Sequence, residues 1–135
     1  MEITRGTIDD LIEHLGLIRS AIPAKAPLTP ERIRERLESR AYGVTLAKEG
    51  GRIEGIQVWH EDHGDLYLWL AAVRKTGHRT GALMLEHAEA TTTYRRWRVK
   101  TSSSNAAALR LLGHYGFRAY GTAGDIVYLD RELKR

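Results

Sequence analysis

Apolar residues recur along this chain with two periods, and the switches between them lay out its elements. Ile8, Leu11, Ile12, Leu15 and Ile18 follow helical spacing behind Thr7, a capping residue type, with Asp9 and Asp10 in the first turn. This predicts a helix from Thr7 to about Ser20 with one face packed on a sheet, preceded by a short strand over Glu2–Arg5. Pro23, Pro27 and Pro30 punctuate the next loop, and Thr29 with Pro30 at the first helical position opens a second helix to about Arg40. Only Ile33 and Leu37 form an apolar stripe on this charged helix, which places it at the periphery.

The period then becomes two. Tyr42–Lys48, Arg52–His60 and Asp65–Val73 read as an antiparallel meander joined by Glu49-Gly50-Gly51 and Glu61-Asp62-His63-Gly64. In the third strand Asp65, Tyr67 and Trp69 share one face and Leu66, Leu68 and Leu70 the other, which suggests a cleft beside a polar face. Thr80–Thr93 is a helix, and Arg96–Thr101 is a strand alternating Arg96, Arg98 and Lys100 with Trp97, Val99 and Thr101, the Trp toward the core. A helix headed by Asn105 follows. Phe117–Tyr120 and Ile126–Leu129 close the chain as strands, with Gly121–Gly124 as their turn.

The segment from Asn105 to Phe117 reads Asn-Ala-Ala-Ala-Leu-Arg-Leu-Leu-Gly-His-Tyr-Gly-Phe. It resembles the acceptor-side motif of the GNAT N-acyltransferase superfamily, in which Asn105, Ala108, Gly116 and Phe117 match. Leu112 stands where that family usually carries a Tyr that protonates the departing coenzyme A thiolate. The element order resembles the GNAT fold over the whole length. The resemblance implies one α/β domain over residues 1–135, with a mixed, mostly antiparallel sheet flanked by helices. It further implies that two parallel central strands, Asp65–Val73 and Arg96–Thr101, splay apart to admit acetyl-coenzyme A or another acyl-coenzyme A.

The turn from Ala71 to Ala82 suits a phosphate on physical grounds as well. A helix start presents unpaired N–H groups and partial positive charge, and Arg74, Lys75 and Arg79 add formal charge there. The family's pyrophosphate pattern, anchored on the helix, puts Thr76 at its basic position, Arg79 at its first Gly and Gly81 at its second; anchored on Val73 as the strand valine, it puts His78 at the basic position and Gly81 at the first Gly. The expected cofactor contacts are therefore Thr76, Gly77, His78, Arg79, Thr80, Gly81 and Ala82. Backbone at Ala71, Ala72 and Val73 joins them, and Asn105 is expected to position pantetheine.

Acyl transfer from a thioester to an amine needs a base, polarisation of the carbonyl and a proton for the thiolate. Tyr115, one turn beyond Leu112, and neighbouring His114 are the nearest replacements for the missing acid. Asp65 or Glu61 is the candidate base, with Tyr67 orienting. His60-Glu61-Asp62-His63 has metal-like residues, but its two-residue His separation on a turn is not the zinc-protease spacing, so no metal is expected.

Composition narrows the setting. The chain has 135 residues, enough for one modest core, and no cysteine, which excludes disulfides, thiolate zinc sites and a Cys nucleophile. The charged N-terminus lacks an apolar run, so a soluble cytoplasmic protein without membrane attachment is expected. Residues 1–73 carry nine Lys/Arg against twelve Asp/Glu, and residues 74–135 carry twelve against five. The basic second half attracts anions: coenzyme A phosphates, nucleic acid or an acidic partner. The expected partner is a small-molecule or protein amine, and the resemblance makes a homodimer plausible. The alternative is a GNAT-fold protein that acts on or binds nucleic acid through Arg96, Arg98 and Lys100, with altered or lost acetyl-coenzyme A use.

Overall fold

The computed structural model describes residues 1–21, 28–75 and 79–135, so Pro23 and Pro27 lie outside the described residues. The strands are β1 (Glu2–Gly6), β2 (Tyr42–Glu49), β3 (Arg52–Asp62), β4 (Asp65–Val73), β5 (Arg96–Ser102), β6 (Arg118–Ala123) and β7 (Ile126–Glu132). The helices are α1 (Ile8–Glu13), α2 (Leu15–Ala21), α3 (Pro30–Leu37), α4 (Thr80–Thr91) and α5 (Ala106–His114). One mixed sheet runs in the order β1-β2-β3-β4-β5-β7-β6. Among its pairings only β4 with β5 is parallel.

Local chemistry sets the boundaries. Thr7 and Asp10 form a reciprocal capping box: Thr7 Oγ1 accepts from the Asp10 amide at 3.1 Å and Asp10 Oδ2 from the Thr7 amide at 2.8 Å. The helix predicted to Ser20 is broken at His14, whose ring Nδ1 lies 2.9 Å from the Asp10 carbonyl oxygen, and α2 restarts at Leu15. The last helix of the first half, α3, stops at Leu37, short of Arg40. In α4 the Thr91 and Thr92 hydroxyls donate to the carbonyls of His87 and Ala88, each at 2.8 Å, and end the helix two residues before Thr93. β3 runs past His60 to Asp62 because the hairpin turn is only His63-Gly64, with φ of 52° and 84°. Two positive φ values are what a two-residue turn between twisted strands requires. β6 likewise continues to Ala123, so the predicted four-residue turn shrinks to Gly124 and Asp125.

Two cores sandwich the sheet. Ile8, Leu11, Leu15 and Ile18 of α1 and α2, with Ile33 and Leu37 of α3, pack on Val44, Ile56, Val58, Leu70 and Ala72. Leu85 and Ala88 of α4 and Leu112 of α5 pack with Phe117, Leu129, Trp97, Leu66 and Leu68. The predicted continuous Leu face of β4 is thus split between the two cores. Its cause is a bulge: Val58 pairs with Leu70 and Trp59 with Leu68, so Trp69 is the extra residue and the strand changes face there. β4 and β5 pair only at Leu66–Trp97, Tyr67–Arg98 and Leu68–Val99. Beyond Trp69 they part, and that divergence is the expected wedge.

The exit of α5 gives the Gly116-Phe117 pair a physical meaning. Gly116 has φ 86°, its amide donates to the Gly113 carbonyl at 3.1 Å, and the Phe117 amide donates to Leu112 at 3.0 Å. These are the two bonds of a Schellman cap, completed by burial of Leu112 against Phe117 in one cluster. Arg131 locks the cap: its guanidinium lies 4.6 Å from the Trp97 ring centroid and 5.0 Å from that of Phe117, and Nη1 donates to the Tyr115 carbonyl at 2.9 Å.

Glycine at position 43 is a packing requirement. A Cβ there would stand 2.3 Å from Trp59 Nε1 and 2.6 Å from Cε2, inside a rigid ring. At Gly81 a Cβ would meet only the end of Leu111, at 2.9 Å. Gly43→Ala is expected to cost about 1–3 kcal/mol in urea unfolding, and Gly81→Ala less, because a leucine methyl gives way more readily than an indole. Equal midpoints for Gly43→Ala and wild type would show that Trp59 moves aside freely.

Candidate active site

The open end of the wedge meets the start of α4. Arg79, its N-cap residue, has φ 59° and ψ 6° and makes no side-chain capping bond. Among the described residues, the first-turn amides of Thr80, Gly81 and Ala82 therefore have no helical or capping acceptor. Arg79 thus holds a glycine-favouring backbone conformation. Gly55 seats the helix: a Cβ there would come within 2.8 Å of Thr80 Cγ2 and 3.0 Å of Met84 Cε, and Gly55 pairs with Val73 at the end of β4. At that end Ala72 is buried, Val73 half-buried and Ala71 exposed; Thr80 and Ala82 are buried and Gly81 half-buried. Thr76, Gly77 and His78 lie outside the described residues. Arg74 and Lys75 continue the basic rim with Arg52, lining a depression of about 350 Å³ beside Leu17 and Ser20 of α2.

Asn105 caps α5, its Oδ1 accepting from the Ala108 amide at 3.1 Å. Leu112 is buried in the core. Tyr115 donates its phenolic proton to Glu86 Oε1 at 2.6 Å, and this hydrogen bond raises its pKa and keeps it protonated. Arg79 lies 3.4 Å from the same Glu86 oxygen, so Arg79, Glu86 and Tyr115 link the start of α4 to the end of α5.

The closed end carries the second predicted catalytic group. Asp65 Oδ2 accepts from Arg98 Nε at 3.0 Å and Arg96 Nη1 at 3.4 Å. Arg98 also donates to Asp62 Oδ2 at 2.6 Å, and Arg96 to Asp130 Oδ2 at 2.8 Å. The Arg98 bond holds the Asp62 carboxyl below its ordinary range. This ladder ties β3, β4, β5 and β7 together where the parallel strands still pair. Asp65 and Tyr115 share no partner among the described residues. Two cations of the Arg96, Arg98, Lys100 stripe are thereby neutralised within the sheet, while Trp97 is fully buried. Among the described residues no helix is long and apolar enough to cross a membrane, and no three His, Asp or Glu side chains converge as metal ligands.

A further cluster escapes a motif-based reading. His60 is 1% exposed, and its Nε2 accepts from Arg36 Nε at 2.9 Å. That bond assigns the ring proton to Nδ1, which donates to the Glu61 carbonyl at 3.0 Å. Burial, reinforced by Arg36 and Arg40, lowers the His60 pKa and keeps the ring neutral. Tyr67 and Trp69 stand beside it, at centroid separations of 5.4 and 6.0 Å. The signal in the sequence is spacing: Arg36 and Arg40 fall three and seven residues after Ile33, on the buried face of α3 and its extension.

His60 faces Arg36 from α3, Arg40 beyond it, Asp62 from its own strand and Tyr67 from β4. The unfolded His takes up a proton near pH 6.5, and the folded one only at lower pH. Stability is therefore full above about pH 6.5 and declines as pH falls from there through the lowered folded value, because the unfolded chain then binds more protons. Urea midpoints between about pH 5 and 8 should fall more steeply on the acid side for wild type than for His60→Gln. Parallel profiles would show that His60 does not set this slope.

No protein-family model matches the sequence, nor does any curated protein. The fold likeness is extensive. An IAA acetyltransferase from Bacillus cereus ATCC 14579 superposes with a TM-score of 0.79 at 21% identity, over 98% of this chain and 99% of that one. A GNAT family acetyltransferase from Elizabethkingia anophelis, solved with acetyl-CoA bound, gives 0.75 at 22% identity over 98% and 97%. The ribosomal-protein-S18-alanine N-acetyltransferase from Escherichia coli gives 0.77 at 16% identity over 99% and 94%. With its seven-stranded order, single parallel pair and splayed centre, the chain has the GNAT acetyltransferase fold.

Proposed function

We propose that this protein transfers an acetyl or other small acyl group from acyl-coenzyme A to an amine. The observation that carries the reading is the junction of the wedge with the uncapped start of α4. The free edges of β4 beyond Trp69 suit a pantetheine amide chain. The amides of Thr80, Gly81 and Ala82, with the Arg79 side chain, suit the pyrophosphate. Thr76, Gly77 and His78 complete the phosphate turn in this reading, backbone at Ala71, Ala72 and Val73 flanks the thioester arm, and Asn105 keeps its side-chain N–H groups for pantetheine while Oδ1 caps α5. The amine nitrogen bonds to the thioester carbon, the carbon–sulfur bond breaks, and the thiolate takes a proton. Tyr115, held protonated by Glu86, is the proposed donor, and Asp65, whose Oδ1 has no partner among the described residues, the proposed acceptor of the amine's proton.

Ligand-dependent stability tests the donor directly. Acetyl-coenzyme A at one hundredfold its Kd should add about 2.7 kcal/mol and raise the Tm; an unchanged Tm at millimolar ligand would overturn the reading. Tyr115→Phe and Asp65→Asn are each expected to lower kcat about 10²-fold while leaving KM for acetyl-coenzyme A near wild type. An unchanged kcat would leave Tyr115 as a tie between α4 and α5, or Asp65 as an anchor of the arginine ladder.

A further inference from the structure

The Arg36 guanidinium lies 4.6 Å above the centre of the Trp69 ring and 5.9 Å from that of Tyr67, at the bulge where β4 turns away from β5. Its Nε is fixed by His60 at 2.9 Å, and His60 is itself fixed by the Glu61 carbonyl. Neither Nη has an acceptor among the described residues, and residues 22–27 and 76–78 contain no Asp or Glu. The carboxylates nearby are matched elsewhere: Asp62 pairs with Arg98 and Arg40, Asp65 with Arg98 and Arg96, and Asp130 with Arg96. Three anions balance Arg40, Arg96 and Arg98, which leaves Arg36 as the uncompensated cation of the cluster.

A half-buried cation without a counter-ion is costly, and here burial lowers its pKa. The arrangement presents the guanidinium ready-made. One edge is anchored through a neutral acceptor, one flank lies on an aromatic ring, and the Nη1/Nη2 fork remains for a planar or tetrahedral oxyanion. Because Trp69 is also the first residue of the wedge, this fork sits beside the place where the thioester carbonyl enters in the proposed reaction.

We infer that Arg36 is the acceptor-recognition residue and that the acceptor is a small amine carrying an anionic oxygen group, a carboxylate or a phosphate. This rests on the acyl-transfer reading above and narrows its substrate class. His60 acts as a positioning residue: its neutral Nε2 holds Arg36 over Trp69. Neutral amines lack the group that compensates the buried charge and are the discriminated-against class.

The experiment pairs two measurements on the intact protein. The first is acetyl transfer from acetyl-coenzyme A to a panel of free α-amino acids, their carboxamides, phosphoethanolamine and ethanolamine. The second is the Tm shift given by the same compounds without donor, which needs no turnover. The anionic member of each pair is expected to show a KM at least about tenfold lower than its neutral partner, the loss of a charged hydrogen bond being worth that factor. The amino acid and phosphoethanolamine arms decide between carboxylate and phosphate. Arg36→Gln should abolish the discrimination and the Tm shift while the Tm response to acetyl-coenzyme A persists, which certifies its fold. Arg36→Lys should recover part of the discrimination. Equal KM values within each pair, with acetyl-coenzyme A still binding and turning over, would overturn the inference and leave the enzyme reading intact. If acetyl-coenzyme A gives neither shift nor turnover, the enzyme reading fails, and the inference fails with it unless anionic compounds still shift wild type but not Arg36→Gln.

Discussion

Three residue pairs between β4 and β5 hold the two halves of this molecule together, and the rest follows from their being only three. Were the parallel pairing to continue, the sheet would close over its own centre and α4 would begin against a continuous surface. The bulge at Trp69 stops the pairing on one side, and the ladder of Asp62, Arg98, Asp65, Arg96 and Asp130 secures it on the other. Closure and opening are thus set within a few residues of each other by different forces. Ion pairs across strands clamp one end, and an unpaired backbone residue releases the other.

The same junction organises the charges. α4 starts without a side-chain cap beyond the end of β4, so its amide dipoles face the opening, and Arg52, Arg74 and Lys75 line a depression at the end of β4. On the far face, α3 brings Arg36 against Trp69 through His60. The wedge therefore lies between two electropositive features of different kind, backbone amides on the α4 side and a half-buried guanidinium on the α3 side. A thioester donor with phosphates and an anionic acceptor would approach from opposite faces of β4, which keeps their charges apart.

Much of the fold was legible in the sequence because amphipathic periods and caps are local. Thr7, Thr29 and Asn105 cap the helices they head, and the Gly116-Phe117 signature is a Schellman cap whose two residues are dictated by backbone angle and burial. The β4 bulge was not legible: alternation through Leu66, Leu68 and Leu70 continues unbroken in the sequence, and only the mismatch with β3 reveals that the strand changes faces. The break at His14 was hidden for a similar reason, since Leu11 and Leu15 keep helical spacing across it. For the site, the α4 turn and Asn105 could be named from chemistry and resemblance. The roles of His60 and Arg36 could not, because one of two His in a turn-like acidic run and an Arg on a charged helix acquire meaning only when α3 lands on β3 and β4.

The bulge also decides where β4 can change its length. Trp69 acts as a parity element: with it, Leu66 and Leu68 serve one core while Leu70 and Ala72 serve the other. Removing Trp69 itself would leave Leu68 and Leu70 adjacent, opposite Trp59 and Val58, a regular ladder in which each leucine keeps its own core. Removing Tyr67 or Leu68 instead would press Trp69 into the ladder opposite Trp59, on the face that Leu85 and Ala88 cover. The strand can therefore shorten at its bulge, and elsewhere only by carrying a tryptophan from one core to the other.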